Sequence, residues 1–241
     1  GDGLGNTITN YGLGFITGSF VSPNLVSGLS NGILVRYTNN FNILYNTIQS
    51  SNGGVLSGHH RAIFIPSYGT NSNNFVIGSP VNTISNNYIS VKSGSNNPIT
   101  GIFCEGSAFN SSTTLNIENN TFTDFGHSVS SNAAIKFISN TTSALNVTIN
   151  DNIIENITIN STGSITFVEN DAVKPNNSIY SFNNNSINNF SKTEAGGTVT
   201  FYQSATSSPG NAIIENMNGN SFSNISVTGT TVLNGILDEL V

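Results

Sequence analysis

One three-residue pattern limits what this chain can fold into more than any other feature: Asn, any residue, then Ile or Phe. It occurs as Asn6-Thr7-Ile8, Asn46-Thr47-Ile48, Asn87-Tyr88-Ile89, Asn120-Thr121-Phe122, Asn152-Ile153-Ile154, Asn185-Ser186-Ile187 and Asn220-Ser221-Phe222. Successive Asn residues lie 40, 41, 33, 32, 33 and 35 positions apart. A period of this length marks a repeat fold, in which each unit buries its apolar face against the next. Neighbouring columns keep the register. Ile43, Ile84, Ile117, Ile149, Phe182 and Met217 stand three residues before the Asn. Phe125, Ile157, Phe190 and Ile225 stand five residues after it in the last four units, where Ser51 and Lys92 occupy that place in two earlier ones.

A second motif alternates with the first: a small residue, a β-branched residue, any residue, an apolar residue. Its instances are Gly32-Ile33-Leu34-Val35, Ala62-Ile63-Phe64-Ile65, Gly101-Ile102-Phe103-Cys104, Ala134-Ile135-Lys136-Phe137, Ser164-Ile165-Thr166-Phe167 and Thr198-Val199-Thr200-Phe201. Apolar residues at alternate positions are the signature of a strand buried on one face. Ile102 and Cys104 then point inward and Phe103 outward. The triplet Asn is preceded by Asn86, Asn119, Asp151, Asn184 or Gly219, residue types that tolerate the left-handed backbone region and so mark a corner. Short strands joined by such corners give an all-β chain. The expected fold is a right-handed parallel β-helix of about seven coils, with roughly 33 residues per coil, over a single domain spanning 1–241. In it Asn6, Asn46, Asn87, Asn120, Asn152, Asn185 and Asn220 stack into an internal ladder at the strand spacing of about 4.8 Å.

Composition agrees. Only 7% of residues are charged, yet 42 are Asn, 34 Ser and 25 Thr. Uncharged amides and hydroxyls can be buried when hydrogen-bonded, as charges could not. Six Lys and Arg cannot assemble the basic patch a nucleic-acid partner needs. No apolar run reaches the roughly 18 residues of a membrane span, and no basic segment followed by an apolar one announces a signal peptide. The chain opens inside a repeat and reads as a mature product or a fragment of a longer repeat protein. Cys104 is the single cysteine, a small buried hydrophobe rather than a reactive thiol.

The alternating N-x-[IF] corners and G/A-I-x-F strands resemble the right-handed parallel β-helix of the pectin-lyase-like superfamily. The segments N-N-T-F-T-D-F-G…A-A-I-K-F and N-N-S-I-N-N-F-S…G-G-T-V-T-F also resemble repeats of surface-displayed passengers, such as autotransporter adhesins and polymorphic outer-membrane proteins. The resemblance covers nearly the whole chain. It implies architecture and leaves function open, because the fold hosts lyases, hydrolases, adhesins and tailspikes alike. Enzymes of the superfamily would carry a Ca²⁺-binding acidic cluster with an Arg or Lys base, or paired aspartates. Of the polygalacturonase-like motifs, only Gly58-His59-His60 is a partial echo, and no Asp-Asp pair is present.

The best polar constellation is Arg36, His59, His60, Arg61 and Glu105. Arg36 and Glu105 share an outward position two coils apart, and His60 and Arg61 are expected between them, just before their strand. The group reads either as a glycan-contacting or catalytic patch or as a solvated face with an incidental ion pair. Metal binding is not expected, since His59 and His60 would point to opposite faces, and no cofactor is implied. Leu34, Phe64 and Phe103 are expected to form an outward apolar stripe, continued by Lys136, Thr166 and Thr200. Such a stripe is a partner surface or lies under a loop.

Three functions compete on these residues. The first is a non-enzymatic extracellular or cell-surface structural or adhesin-like module, a stalk or filament segment contacting glycans or other cell-surface components. The second is a carbohydrate-active enzyme or tailspike-like depolymerase. The third is ice binding, which needs a flat Thr array that Thr166 and Thr200 alone do not supply. Solenoid ends expose strand edges and need caps. Further repeats, another domain or another copy are therefore expected there.

Overall fold

A computed structural model of the chain describes residues 6–11, 30–35, 40–50, 58–66, 79–106, 109, 111–206 and 212–240. Its strands, numbered along the chain, fall into three stacked sheets. The first holds β1 (Thr7–Tyr11), β4 (Thr47–Ser50), β7 (Tyr88–Ser90), β11 (Thr121–Phe122), β15 (Ile153–Ile159), β18 (Ser186–Lys192) and β21 (Ser221–Val227). The second holds β2 (Ser30–Leu34), β5 (His60–Ile65), β9 (Ile99–Cys104), β13 (Ile135–Asn140), β16 (Ile165–Asp171), β19 (Thr198–Thr206) and β22 (Val232–Leu240). The third holds β3 (Asn42–Leu44), β6 (Val81–Ser85), β10 (Thr114–Glu118), β14 (Asn146–Asn150), β17 (Ile179–Asn183) and β20 (Ile214–Asn216). A short pair, β8 (Lys92–Ser93) and β12 (Gly126–His127), fills one corner. The pairings within the sheets are parallel, so the chain is a β-solenoid of about 34 residues per turn. It makes about five to six coils where seven were expected: the third sheet has only six strands, and the first coil is described only in part.

The corner rule holds. Tyr45, Asn86, Asn119, Asp151 and Asn184 have φ of 56–57° and Gly219 has 68°. At Gly219 a side chain would also collide with Asn184 Oδ1, which explains the glycine. Each left-handed residue turns the chain so that the following Asn points inward. The Nδ2 of Asn46, Asn87, Asn120, Asn152 and Asn185 then donates to the Oδ1 of the next ladder Asn at 2.9–3.1 Å. The matching backbone N–H donates to the same oxygen at 2.9–3.1 Å. Above the ladder, Ile48, Ile89, Phe122, Ile154 and Ile187 form the first sheet's inner column, none more than 3% exposed. Burial of each such side chain contributes about 1.5–3 kcal/mol.

The second sheet departs from the expected register. Ile33, Ile63 and Ile102 pair as anticipated, but Ile102 then pairs with Ile138, and Ile135 pairs with Ile99. The Leu34, Phe64 and Phe103 column therefore continues as Ser139, Glu169 and Gln203. Lys136, Thr166 and Thr200 align instead with Thr100 and Arg61. The cause is a strand longer than the motif. Ile99-Thr100-Gly101-Ile102 and Ile135-Lys136-Phe137-Ile138 carry two inward isoleucines three residues apart, and the sequence motif matched the wrong one. Between those isoleucines the earlier coils place Ala62 and Gly101, and the later ones Phe137, Phe167 and Phe201. The Phe137 and Phe167 rings stack at 4.9 Å. A side chain on Gly101 would strike the Phe137 carbonyl at 2.5 Å and Phe122 at 2.6 Å.

A second buried ladder follows from this register. Asn140 and Asn170, at 0% and 1% exposure, are joined by an Nδ2 to Oδ1 bond of 2.7 Å. Ser204 occupies the next place in that column.

Candidate functional site

The second sheet's outer face carries the chain's most concentrated mixed chemistry. His59 immediately precedes β5, while Arg61 and Phe64 point outward from it beside Phe103 of β9. The Arg61 guanidinium carbon sits 4.1 Å from the Phe64 ring centroid and 5.3 Å from that of Phe103. The two rings stack at 5.3 Å, and His59 stacks on Phe103 at 6.0 Å. Arg61 Nη2 donates to His59 Nδ1 at 3.0 Å. A guanidinium can only donate, so the network assigns the His59 proton to Nε2, which donates to Thr100 Oγ1 at 2.8 Å. Burial, then the charges of Arg61, Lys136 and His60, lower the His59 pKa from 6.5 to about 3, so the ring is neutral. Burial lowers the Arg61 pKa to about 10 against the opposing influence of Glu105. Arg61 Nε and Nη1 are buried without a hydrogen-bond partner among the described residues. The aromatic faces stand in for part of that lost solvation.

The expected constellation is thus assembled in part. Arg61, His59 and Glu105 are neighbours on one face, and Arg36 lies outside the described residues. His60 leaves the group. It belongs to β5 rather than preceding it, and it points inward in the column of Ile99 and Ile135, 1% exposed. Burial, and next His127, lower its pKa to about 4. The expected apolar stripe is uneven: Leu34 is 40% exposed, Phe103 half-buried and Phe64 only 4% exposed. Thr200 is buried too, so the Thr residues present no open array.

Further along the same face, Lys136 Nζ contacts both Glu169 carboxylate oxygens at 2.6 Å, and Ser139 donates to the same carboxylate. Sequence reading missed this triad because its register was three residues off. It also missed Lys174, whose ammonium is fully buried 2.8 Å from Glu215 Oε1 and bonded to Ser204 Oγ, with the Tyr180 ring 5.5 Å away. Lys174 lies in the connection between β16 and β17, where no repeat column marks it. Glu118 and Asp151 sit at neighbouring corners. Burial, then the Asp151 charge, raises the Glu118 pKa. Asp124 pairs with Lys92 at 2.6 Å. No group of three or more His, Cys, Asp or Glu side chains is placed to hold a metal ion among the described residues. Cys104 is fully buried, which pushes its thiol pKa up and leaves it a poor nucleophile. No helix among the described residues is long and apolar enough to cross a membrane.

Compared with known protein families, with curated proteins and with solved structures, the chain matches none.

Proposed function

We propose that this β-solenoid is a non-enzymatic extracellular module, a stalk or adhesin-like segment of the kind its repeats resemble, that contacts glycans through the His59–Arg61–Phe103 face. The observation that carries this reading is the ring and cation cluster on the second sheet: Phe64 and Phe103 stack at 5.3 Å, and the Arg61 guanidinium carbon lies 4.1 Å from the Phe64 ring centroid. Glu169, Glu215 and Asp124 are each engaged by a lysine within 2.8 Å. The half-buried rings of His59 and Phe103 offer a sugar a stacking surface, with the Arg61 cation beside them.

A polysaccharide-cleaving enzyme remains the second reading. It is favoured by Glu118, whose raised pKa beside Asp151 is what a general acid requires. One paired assay separates the two: binding on a glycan array, and release of reducing-end or unsaturated sugar from the same polymers. Binding without release, weakened by Phe103→Ala, is the expected result. Release abolished by Glu118→Gln would overturn the first reading in favour of the second.

A further inference from the structure

Lys174 and Glu215 meet with a third group between them. Lys174 lies in the connection between β16 and β17, while Ser204 of β19 and Glu215 of β20 come from the following coil. The side chains of Lys174 and Ser204 are fully buried, and that of Glu215 is 8% exposed. Lys174 Nζ contacts Glu215 Oε1 at 2.8 Å. It also donates to Ser204 Oγ, whose hydroxyl donates in turn to the same Oε1 at 2.8 Å. The three groups close a ring in which every hydrogen bond runs from the amine towards Oε1. Glu215 Oε2 stands apart, buried and with no hydrogen-bond partner among the described residues.

Burial of this pair is costly, because both ions lose their hydration and one oxygen is left unsatisfied. An amide between the two side chains would remove both charges. Nζ lies no farther than about 4 Å from Glu215 Cδ, given a carbon–oxygen bond of about 1.2 Å. Holding two reacting groups this close, when they are well oriented, gives them an effective concentration of about 10⁵–10⁸ M. A dry site also withholds the water that would hydrolyse the product.

We propose that Lys174 and Glu215 condense into an intramolecular amide that staples two successive coils, with Ser204 relaying the protons. The ion pair is the state reached on folding. A first proton passes from Nζ to Ser204 Oγ as the Ser204 hydroxyl proton passes to Oε1, which leaves a neutral amine beside a protonated acid. Nζ then attacks Cδ and forms the carbon–nitrogen bond. A second proton follows the same route, the Cδ–Oε1 bond breaks, and Oε1 departs as water. Oε2 becomes the amide carbonyl oxygen, and the remaining N–H donates to Ser204 Oγ. One ammonium and one carboxylate give one amide and one water, so the balance needs no oxidant or reductant. The bond closes a loop between positions 41 apart and restricts the unfolded chain. The staple belongs to the scaffold and stands whether or not the second sheet contacts a glycan.

The test is mass spectrometry of the intact 241-residue chain in denaturant, followed by chymotryptic digestion. The expected chain is lighter than its sequence by one water, and a branched peptide carries Lys174 Nζ joined to Glu215. Lys174→Met with Glu215→Leu, which fills the site without stranding a charge, should keep its full sequence mass. Ser204→Ala leaves both reacting groups in place. In this variant the bonded fraction, followed over time in freshly made folded chain, should rise about a hundredfold more slowly. A folded chain that keeps its full sequence mass on prolonged incubation overturns the proposal, as does a water loss located at any other residue. Bonding of Ser204→Ala at the parental rate overturns the relay.

Discussion

Replacing Asn120 by Ala tests whether the ladder stabilises the solenoid or merely accompanies it. Asn120 Oδ1 accepts from Asn87 N at 3.1 Å and Asn87 Nδ2 at 2.9 Å. Its Nδ2 donates to Ile84 O at 2.9 Å and Asn152 Oδ1 at 3.0 Å. Asn120 is fully buried, so no water replaces the missing amide. Asn152 Oδ1 keeps its bond from the Asn120 backbone. The Asn87 N–H and one Asn87 amide hydrogen are left unpaired, and the Ile84 carbonyl loses one donor. At about 1–3 kcal/mol for each buried unsatisfied donor, the loss is about 2–6 kcal/mol. That is a large part of the roughly 5–15 kcal/mol that holds a typical domain folded. The control is Ser223→Ala, which removes a side-chain bond to Asn188 Oδ1 at 3.0 Å on the exposed surface, where water substitutes. Its cost should stay below about 1 kcal/mol. Guanidinium unfolding followed by far-ultraviolet circular dichroism measures both. Since stacked coils can unfold in parts, amide exchange at Asn87 adds a local readout. Equal losses for the two variants would refute the ladder's energetic role.

Acid should loosen the second sheet. The folded pKa of His60 lies near 4 against 6.5 unfolded, so below pH 6.5 the unfolded chain binds the extra proton. The His60 contribution to stability therefore falls as pH drops from 6.5 towards 4, by about 3 kcal/mol at about 1.4 kcal/mol per pH unit, and His60→Phe should make that part of the curve shallower in denaturation series, leaving the slope that His59 contributes. Lys174→Met strands the Glu215 carboxylate in the interior and should cost about 3–5 kcal/mol, while Lys174→Met with Glu215→Leu should recover most of it, as thermal melts would show. Gly101→Ala pushes a methyl into the Phe137 carbonyl and the Phe122 ring, and should cost about 1–3 kcal/mol in chemical denaturation, with Ala62→Gly as the cavity-forming counterpart.

The ladder was legible because it is local. A left-handed residue, an Asn and an inward Ile or Phe sit side by side in the chain, so any coil shows the whole device. The second sheet was less legible because its repeating unit spans two inward isoleucines. The motif catches Ile102 in one coil and Ile135 in the next, and only the pairing of Ile99 with Ile135 and of Ile102 with Ile138 shows that these belong to different columns. That three-residue ambiguity hid the Asn140–Asn170 ladder and the Lys136–Glu169 pair, and it extended the Leu34–Phe64–Phe103 column with the wrong residues. His60 misled for a related reason. A histidine next to an arginine reads as surface, yet alternation along β5 places one outside and the other in the core. The Lys174–Glu215 pair left no trace, since its partners meet across a corner with no periodic signal.

The uniformity of the columns bears on where position-specific function can reside. The Asn ladder, its left-handed corners and the Ile and Phe stacks recur from coil to coil and distinguish no coil from the next. A ligand that must find one place on the solenoid needs a column that changes. The outer columns of the second sheet do change, running Arg61, Thr100, Lys136, Thr166, Thr200 in one and Phe64, Phe103, Ser139, Glu169, Gln203 in the other. In a chain with 7% charged residues, Arg61, Lys136 and Glu169 gather on this one face. Burial of Arg61 with two nitrogens that have no hydrogen-bond partner among the described residues is costly. Local cost in an otherwise uniform scaffold is what selection for recognition leaves behind, which is why this face rather than the ladder is assigned the contact with a partner.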